Sequence, residues 1–232
     1  MWLKAIICPA FFDNSLLLGH KDPMSAGTLN IQEKILTEAL KDIPFDGLNW
    51  DVIIRAADKV GYDGDVALSV FPHKVTDFLK YFSSWADTQM MKELQSVNIE
   101  ELRVRERVRQ AVWTRLKILT PHREVIKLSL THWINPMNKP VAGKILWQTS
   151  DIISQWAGDT ATDYNKYTKR GLLSGVITAT TLAWINDSSD NFEKTATFLD
   201  RRIDNVLALG KLAGKILGKV KPTKPTTGQA TE

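Results

Sequence analysis

A chain of 232 residues, 44% hydrophobic and 24% charged, can bury a substantial core and has the balance of an ordinary soluble globule. Its 30 Lys and Arg against 26 Asp and Glu leave a net charge of +4, too mild a surplus to demand a nucleic-acid partner by itself. The single cysteine, Cys8, excludes a disulfide framework and a Cys-rich metal site, and fits a reducing compartment.

Gly and Pro are few and strand-like alternation is hard to find, so the expected class is all-α. Residues 1–29 read as a disordered leader. The apolar run Trp2–Phe12 is broken by Lys4 and Pro9, with Asp13 just beyond, and is too short to span a bilayer. It lacks the basic start and small-residue cleavage site of a signal peptide, and the absence of Arg before Arg55 argues against a mitochondrial transit sequence.

Residues 30–94 read as a helix-turn-helix-like region. Ile31, Ile35, Leu36, Ala39, Leu40 and Ile43 recur at helical spacing until Pro44-Phe45-Asp46-Gly47 interrupts them. Trp50, Ile53, Ile54, Ala57 and Val60 mark a second helix ended by Gly61, and Asp65–Phe71 a short third. A fourth helix carries Phe78, Phe82, Trp85 and Met90 to about Leu94. As a DNA reader the layout is poorly equipped: Gly61–His73 holds no Lys or Arg, and Asp63 and Asp65 would meet phosphates with like charge.

Residues 95–208 read as a second helical bundle. Ile99–Leu119 pairs an apolar stripe with Arg103, Arg105, Arg107, Arg109 and Arg115, and Glu100, Glu101 and Glu106 are the expected partners of that basic face. Pro121 suits the first turn of a helix through Trp133, Asn135–Pro140 a loop, and Val141–Ala157 a further helix. Gly158 can take the left-handed conformation that ends it, and Thr160 or Thr162 can cap the next, Asp163–Ile185. In that helix Asp163 and Tyr167 are four apart and share a face, and by spacing alone this reads as a helix N-terminus with a Tyr packed under it. Phe192–Leu209 completes the bundle.

Residues 209–220 form a basic amphipathic segment. Leu209, Leu212, Ile216 and Leu217 line one stripe beside Lys211, Lys215 and Lys219, while Gly210, Gly214 and Gly218 lower its intrinsic helicity by about 1 kcal/mol each. Such a helix needs a surface, either its own bundle or an anionic membrane. Residues 221–232 are polar, rich in Pro and Thr, and expected to be disordered.

The chemistry-bearing motifs searched for are missing from the sequence. His20, His73, His122 and His132 form no metal-binding helix pair, and there is no nucleophile elbow, phosphate loop or dinucleotide fingerprint, so no cofactor is expected. Eight Trp point elsewhere. Trp113, Trp133, Trp147, Trp156 and Trp184 fall in the C-terminal helices, where they could fill a core or line an apolar cavity.

Several stretches resemble one family closely: Pro44-Phe45-Asp46-Gly47, Val70-Phe71-Pro72, Pro121-His122-Arg123-Glu124, Gly158-Asp159-Thr160, Thr162-Asp163, Tyr167-Thr168-Lys169-Arg170 and Phe198-Leu199-Asp200-Arg201-Arg202. In this order, from about Ile31 to Lys219, they look like the ninth Coq protein family of ubiquinone biosynthesis. The resemblance implies a TetR-repressor-like all-α fold, a homodimer that does not bind nucleic acid, and a non-catalytic lipid binder. Such a protein would present isoprenoid quinone intermediates to the di-iron demethoxyubiquinone hydroxylase. The alternative is a TetR-type repressor that responds to a hydrophobic ligand.

Carried onto this sequence, the resemblance assigns hydroxylase docking to Asp163, Tyr164, Lys166 and Tyr167, with Lys166 standing where the family usually has Trp. The lipid pocket would draw on Trp113, Leu116, Trp147, Trp156, Leu173, Ile177 and Trp184, and Leu209–Val220 would meet the membrane. The implied location is peripheral to the inner membrane, cytoplasmic in a bacterium or on the matrix side in a mitochondrion.

Overall fold

The computed structural model describes residues 26–159 and 164–217, and among them every regular element is helical. Helix α1 (Ala26–Asp46) begins four residues inside the stretch expected to be leader, and Pro44 sits in its last turn without ending it. Gly47, at φ +82°, makes the actual stop, its N–H reaching the Ile43 carbonyl at 2.9 Å. Helix α2 (Trp50–Lys59) is capped by Asn49, whose side chain accepts the Val52 N–H at 3.0 Å, and α3 (Gly64–Val70) by Asp63, which accepts that of Val66 at 2.8 Å. Gly61, at φ +85°, makes the turn between them.

Helix α4 (Val75–Leu94) joins the two halves of the molecule. Its first turns put Phe78 and Phe82 against Ile35, Ile43, Ile53 and Phe71, while Met90 and Leu94 at its far end join a second cluster with Ala111, Ile153, Leu173 and Leu199. Each fully buried side chain of this size contributes about 1.5–3 kcal/mol. The helices that follow are α5 (Val104–Leu119), α6 (Arg123–Ile134), α7 (Lys139–Trp156), α8 (Tyr164–Ile185) and α9 (Glu193–Leu217). Leu116, Leu119, Val125 and Trp184 from this second set pack into the first cluster, so the two cores share walls across the boundary expected near residue 94.

Three expectations need correction. The loop before α7 is a 3-10 turn, Pro136–Asn138, and α7 starts at Lys139 with Pro140 in its first turn, where a missing N–H costs nothing. The segment from residue 209 is the uninterrupted continuation of α9, which runs on through Gly210 and Gly214 to Leu217. Finally, the arginines of α5 are not partnered by Glu100, Glu101 and Glu106. Arg105 donates to Asp204 at 2.6 Å and Arg109 to Asp200 at 2.8 Å, both on α9, and Arg115 to Asp87 of α4 at 2.7 Å. Glu106 instead accepts the Arg103 backbone N–H at 2.8 Å, closing the first turn of α5.

The α8–α9 corner is tied by two polar groups. Arg123 donates to the carbonyls of Trp184 at 2.6 Å and Ile185 at 2.8 Å, and its guanidinium lies over the rings of Trp184 and Phe192. Asp187 accepts backbone and hydroxyl hydrogen bonds from both Ser189 and Thr195, at 2.6–2.8 Å. Burial alone would raise its carboxyl, but these four donors outweigh that and hold it below the usual carboxylate range.

Candidate ligand cavity and partner patch

Helices α4 to α8 do not close on one another. Between them lies a cavity of about 260 Å³, larger than the hole of about 150 Å³ that takes a benzene and just under the usual range of small-molecule pockets. Leu79 and Phe82 of α4 and Leu119 of α5 form its inner wall, and α6 adds Ile126, Leu130 and Trp133. Ala142, Ile145 and Leu146 of α7 and Ile177 and Leu182 of α8 complete the apolar surface. Polar atoms enter at a few points only, through Ser83, Arg115, Ser129 and Thr149 and through Thr178 and Thr181 of α8.

Of the seven residues assigned to a pocket from sequence, Ile177 alone lines this cavity. Trp184 and Leu116 belong to the first apolar cluster and Leu173 to the second, while Trp113 packs between the two and Trp156 against the second. Trp147 is partly buried and stacks on Tyr167, ring centres 5.9 Å apart at 28°. Trp133, which the expected lining omitted, is the tryptophan that reaches the cavity. An apolar stripe tells which side of a helix is buried, but not whether the facing helix comes close enough to fill the gap.

The second feature is the α7–α8 corner. Gly158 takes φ +89°, as its position requires, and a Cβ there would come within 3.0 Å of Nη1 of Arg107, which donates to the Ala157 carbonyl. Beneath the corner Arg170, 1% exposed, pairs with Asp151 at 2.8 Å and with Asp159. Two carboxylates around one buried guanidinium anchor α8 one turn beyond Tyr167. Tyr167 itself is 63% exposed. Of the expected docking residues, Tyr164 and Lys166 have their backbones in the first turn of α8, and Asp163 lies outside the described residues. The membrane set divides likewise: Leu209, Lys211, Leu212, Lys215, Ile216 and Leu217 are on the α9 backbone, and Lys219 is outside.

Neither half-buried histidine is set up as a base. His122 sits edge-on to Phe82 and Trp85, and burial pushes it below its ordinary value, so it packs as a neutral ring. His132 is lowered by burial too, and meets Thr76 at 3.0 Å and Asn138 at 3.1 Å. Among the described residues no three potential ligands gather to hold a metal.

Known proteins agree with this architecture. The COQ9 family profile matches residues 140–210, which include α7, the corner and most of α9. A rat protein named ubiquinone biosynthesis protein COQ9, mitochondrial, is 30% identical over 215 residues, 90% of this chain and 68% of its own length. The chain belongs to the COQ9 family. A human member of the same name is 29% identical over 193 residues, and there the chain spans 60% of its relative. A TetR transcriptional regulator from Nitrosomonas europaea superposes with a TM-score of 0.62 at 18% identity, covering 77% of this chain and 99% of that one. At that identity the likeness shows the fold alone, which is all-α and TetR-like. Among the described residues of this COQ9-family chain, no helix is long and apolar enough to cross a membrane.

Proposed function

We propose that this chain acts in ubiquinone biosynthesis as a non-catalytic lipid-binding protein. It shelters an isoprenoid quinone intermediate in the α4–α8 cavity and presents it to a di-iron hydroxylase that docks on the Tyr167 corner. The observation that carries this reading is the cavity, a hollow of about 260 Å³ walled mostly by Leu, Ile, Phe and Trp. Each methylene removed from water is worth about 0.8 kcal/mol, so a prenyl tail gains several kcal/mol from even partial shelter. The Trp147–Tyr167 stack supports the docking half, since a tryptophan here lies beside Tyr167 although position 166 is Lys.

The basic end of α9 would rest on the anionic surface of an inner membrane, cytoplasmic or matrix-facing according to host, and the working form would be a homodimer. Mass spectrometry of lipid that co-purifies with the protein tests the carrier role. A prenylated quinone precursor is the expected finding, and a preparation carrying only bulk phospholipid counts against it. Flotation with anionic liposomes tests the α9 assignment: the full chain should float, and a chain ending at Ala208 should not.

A further inference from the structure

The cavity has a polar pole, and we infer that Arg115 is the anchor there for a neutral ring oxygen of the ligand. The inference rests on the carrier reading proposed above and adds the chemistry that recognises the ligand's head.

The walls differ in accessibility. Phe82, Leu119, Ser129 and Thr149 are buried, whereas Thr178 and Leu182 on α8 are exposed, Leu182 to 45%. The cavity therefore opens at α8. Beside Ser83, Nε of Arg115 donates to Oδ1 of Asp87 at 2.7 Å and Nη2 to Oγ of Ser83 at 2.9 Å. The second oxygen of Asp87 accepts the Thr149 hydroxyl at 2.8 Å. A guanidinium carries five N–H donors in a fixed plane, and Nη1 of Arg115 has no protein acceptor among the described residues. Arg115 lines the cavity, so an oxygen within it can take a donor that the fold leaves over.

Charge decides which oxygen. The side chains of Arg115 and Asp87 are 12% and 6% exposed and form an ion pair, so the guanidinium's charge is already compensated. A fatty carboxylate or a phosphate would bring an uncompensated negative charge into an apolar space, which costs far more than one hydrogen bond returns. A ring ketone, phenol or methoxy oxygen brings none. Size points the same way: about 260 Å³ holds a substituted ring and the start of a tail, but not a long prenyl chain.

Decylubiquinone is the probe, read by quenching of tryptophan fluorescence, with Trp133 in the cavity wall. Decylbenzene and decanoate serve as competitors: one lacks the oxygens, the other adds a charge. Wild-type protein should bind decylubiquinone about tenfold more tightly than decylbenzene, with decanoate weakest. Replacing the ion pair together, Asp87→Leu with Arg115→Met, should erase the preference for decylubiquinone over decylbenzene. The infrared carbonyl stretch of bound decylubiquinone should lie lower than in hydrocarbon solvent, a readout that needs no variant to fold. An unshifted carbonyl, equal wild-type affinity for decylubiquinone and decylbenzene, or a preference for decanoate overturns the anchor while leaving the carrier reading in place. Equal loss of decylubiquinone and decylbenzene binding in the double variant also overturns it. Failure of the wild type to bind either neutral probe removes the carrier reading and the anchor with it.

Discussion

The core around α1–α3 and the bundle from α5 to α8 use the same apolar vocabulary to opposite ends. In the first, Ile35, Leu36, Ile43, Ile53, Phe71 and Phe78 are fully buried and meet from α1, α2, α4 and the end of α3. In the second, Leu130, Trp133, Leu146 and Ile177 stop short of one another and leave a hollow. Close packing is the rule in protein interiors, so the hollow is the feature that asks for an occupant. The lesson is that burial and filling are separate properties, and the sequence pattern reports only the first.

Five substitutions break or sharpen this contrast. Phe78→Ala, in the filled core, should cost about 3–5 kcal/mol in urea unfolding, because the surrounding helices cannot collapse onto the space. A cost below about 1 kcal/mol would show that core to be as loose as the other. Enlarging an alanine separates the regions directly. Ala57→Phe, fully buried on α2, should lose about 1–3 kcal/mol to overpacking, whereas Ala142→Phe, on the cavity wall, should lose little and instead reduce decylubiquinone affinity by at least about tenfold. Equal destabilisation at the two sites would mean that the hollow is not there to receive a ring.

Asp187→Asn tests the tie at the α8–α9 corner and should cost about 1–2 kcal/mol at neutral pH. The wild-type carboxyl is held low by Ser189 and Thr195, so its contribution is full above the unfolded value of about 4 and is lost as pH falls through the folded value. The gap between wild type and Asp187→Asn should therefore narrow in acid, as followed by thermal unfolding from pH 7 down to pH 3. The smallest change in stability belongs to Tyr167→Ala, below about 0.5 kcal/mol for an exposed ring, yet this variant should weaken capture of the hydroxylase in a pull-down. Undiminished capture would take the docking face away from this corner.

Much of the fold was legible because its signals are local. Ile35 to Ile43 at helical spacing placed α1, and Gly61 and Gly158 sit at the left-handed turns their positions implied. What escaped was long-range. The partners of Arg105 and Arg115 lie 99 residues ahead and 28 behind, so the nearby glutamates were the natural but mistaken choice. Trp133 and Trp184 alike could fill a core or line a cavity by their sequence pattern, yet Trp184 is sealed beneath Arg123 and Trp133 lines the hollow. The glycines at 210 and 214 suggested a separate final helix, but glycine alone does not stop a helix that its preceding turns hold in place, here through Asp200 and Asp204.

Helix α8 belongs to both features. Tyr167 stands near its start and Leu182 at the cavity mouth, 15 residues on, or about 22 Å along one rod with no proline to hinge it. On the proposed carrier reading, a ligand at the mouth and a partner at Tyr167 would press on the same rod, which Arg170 pins to Asp151 and Asp159 between them.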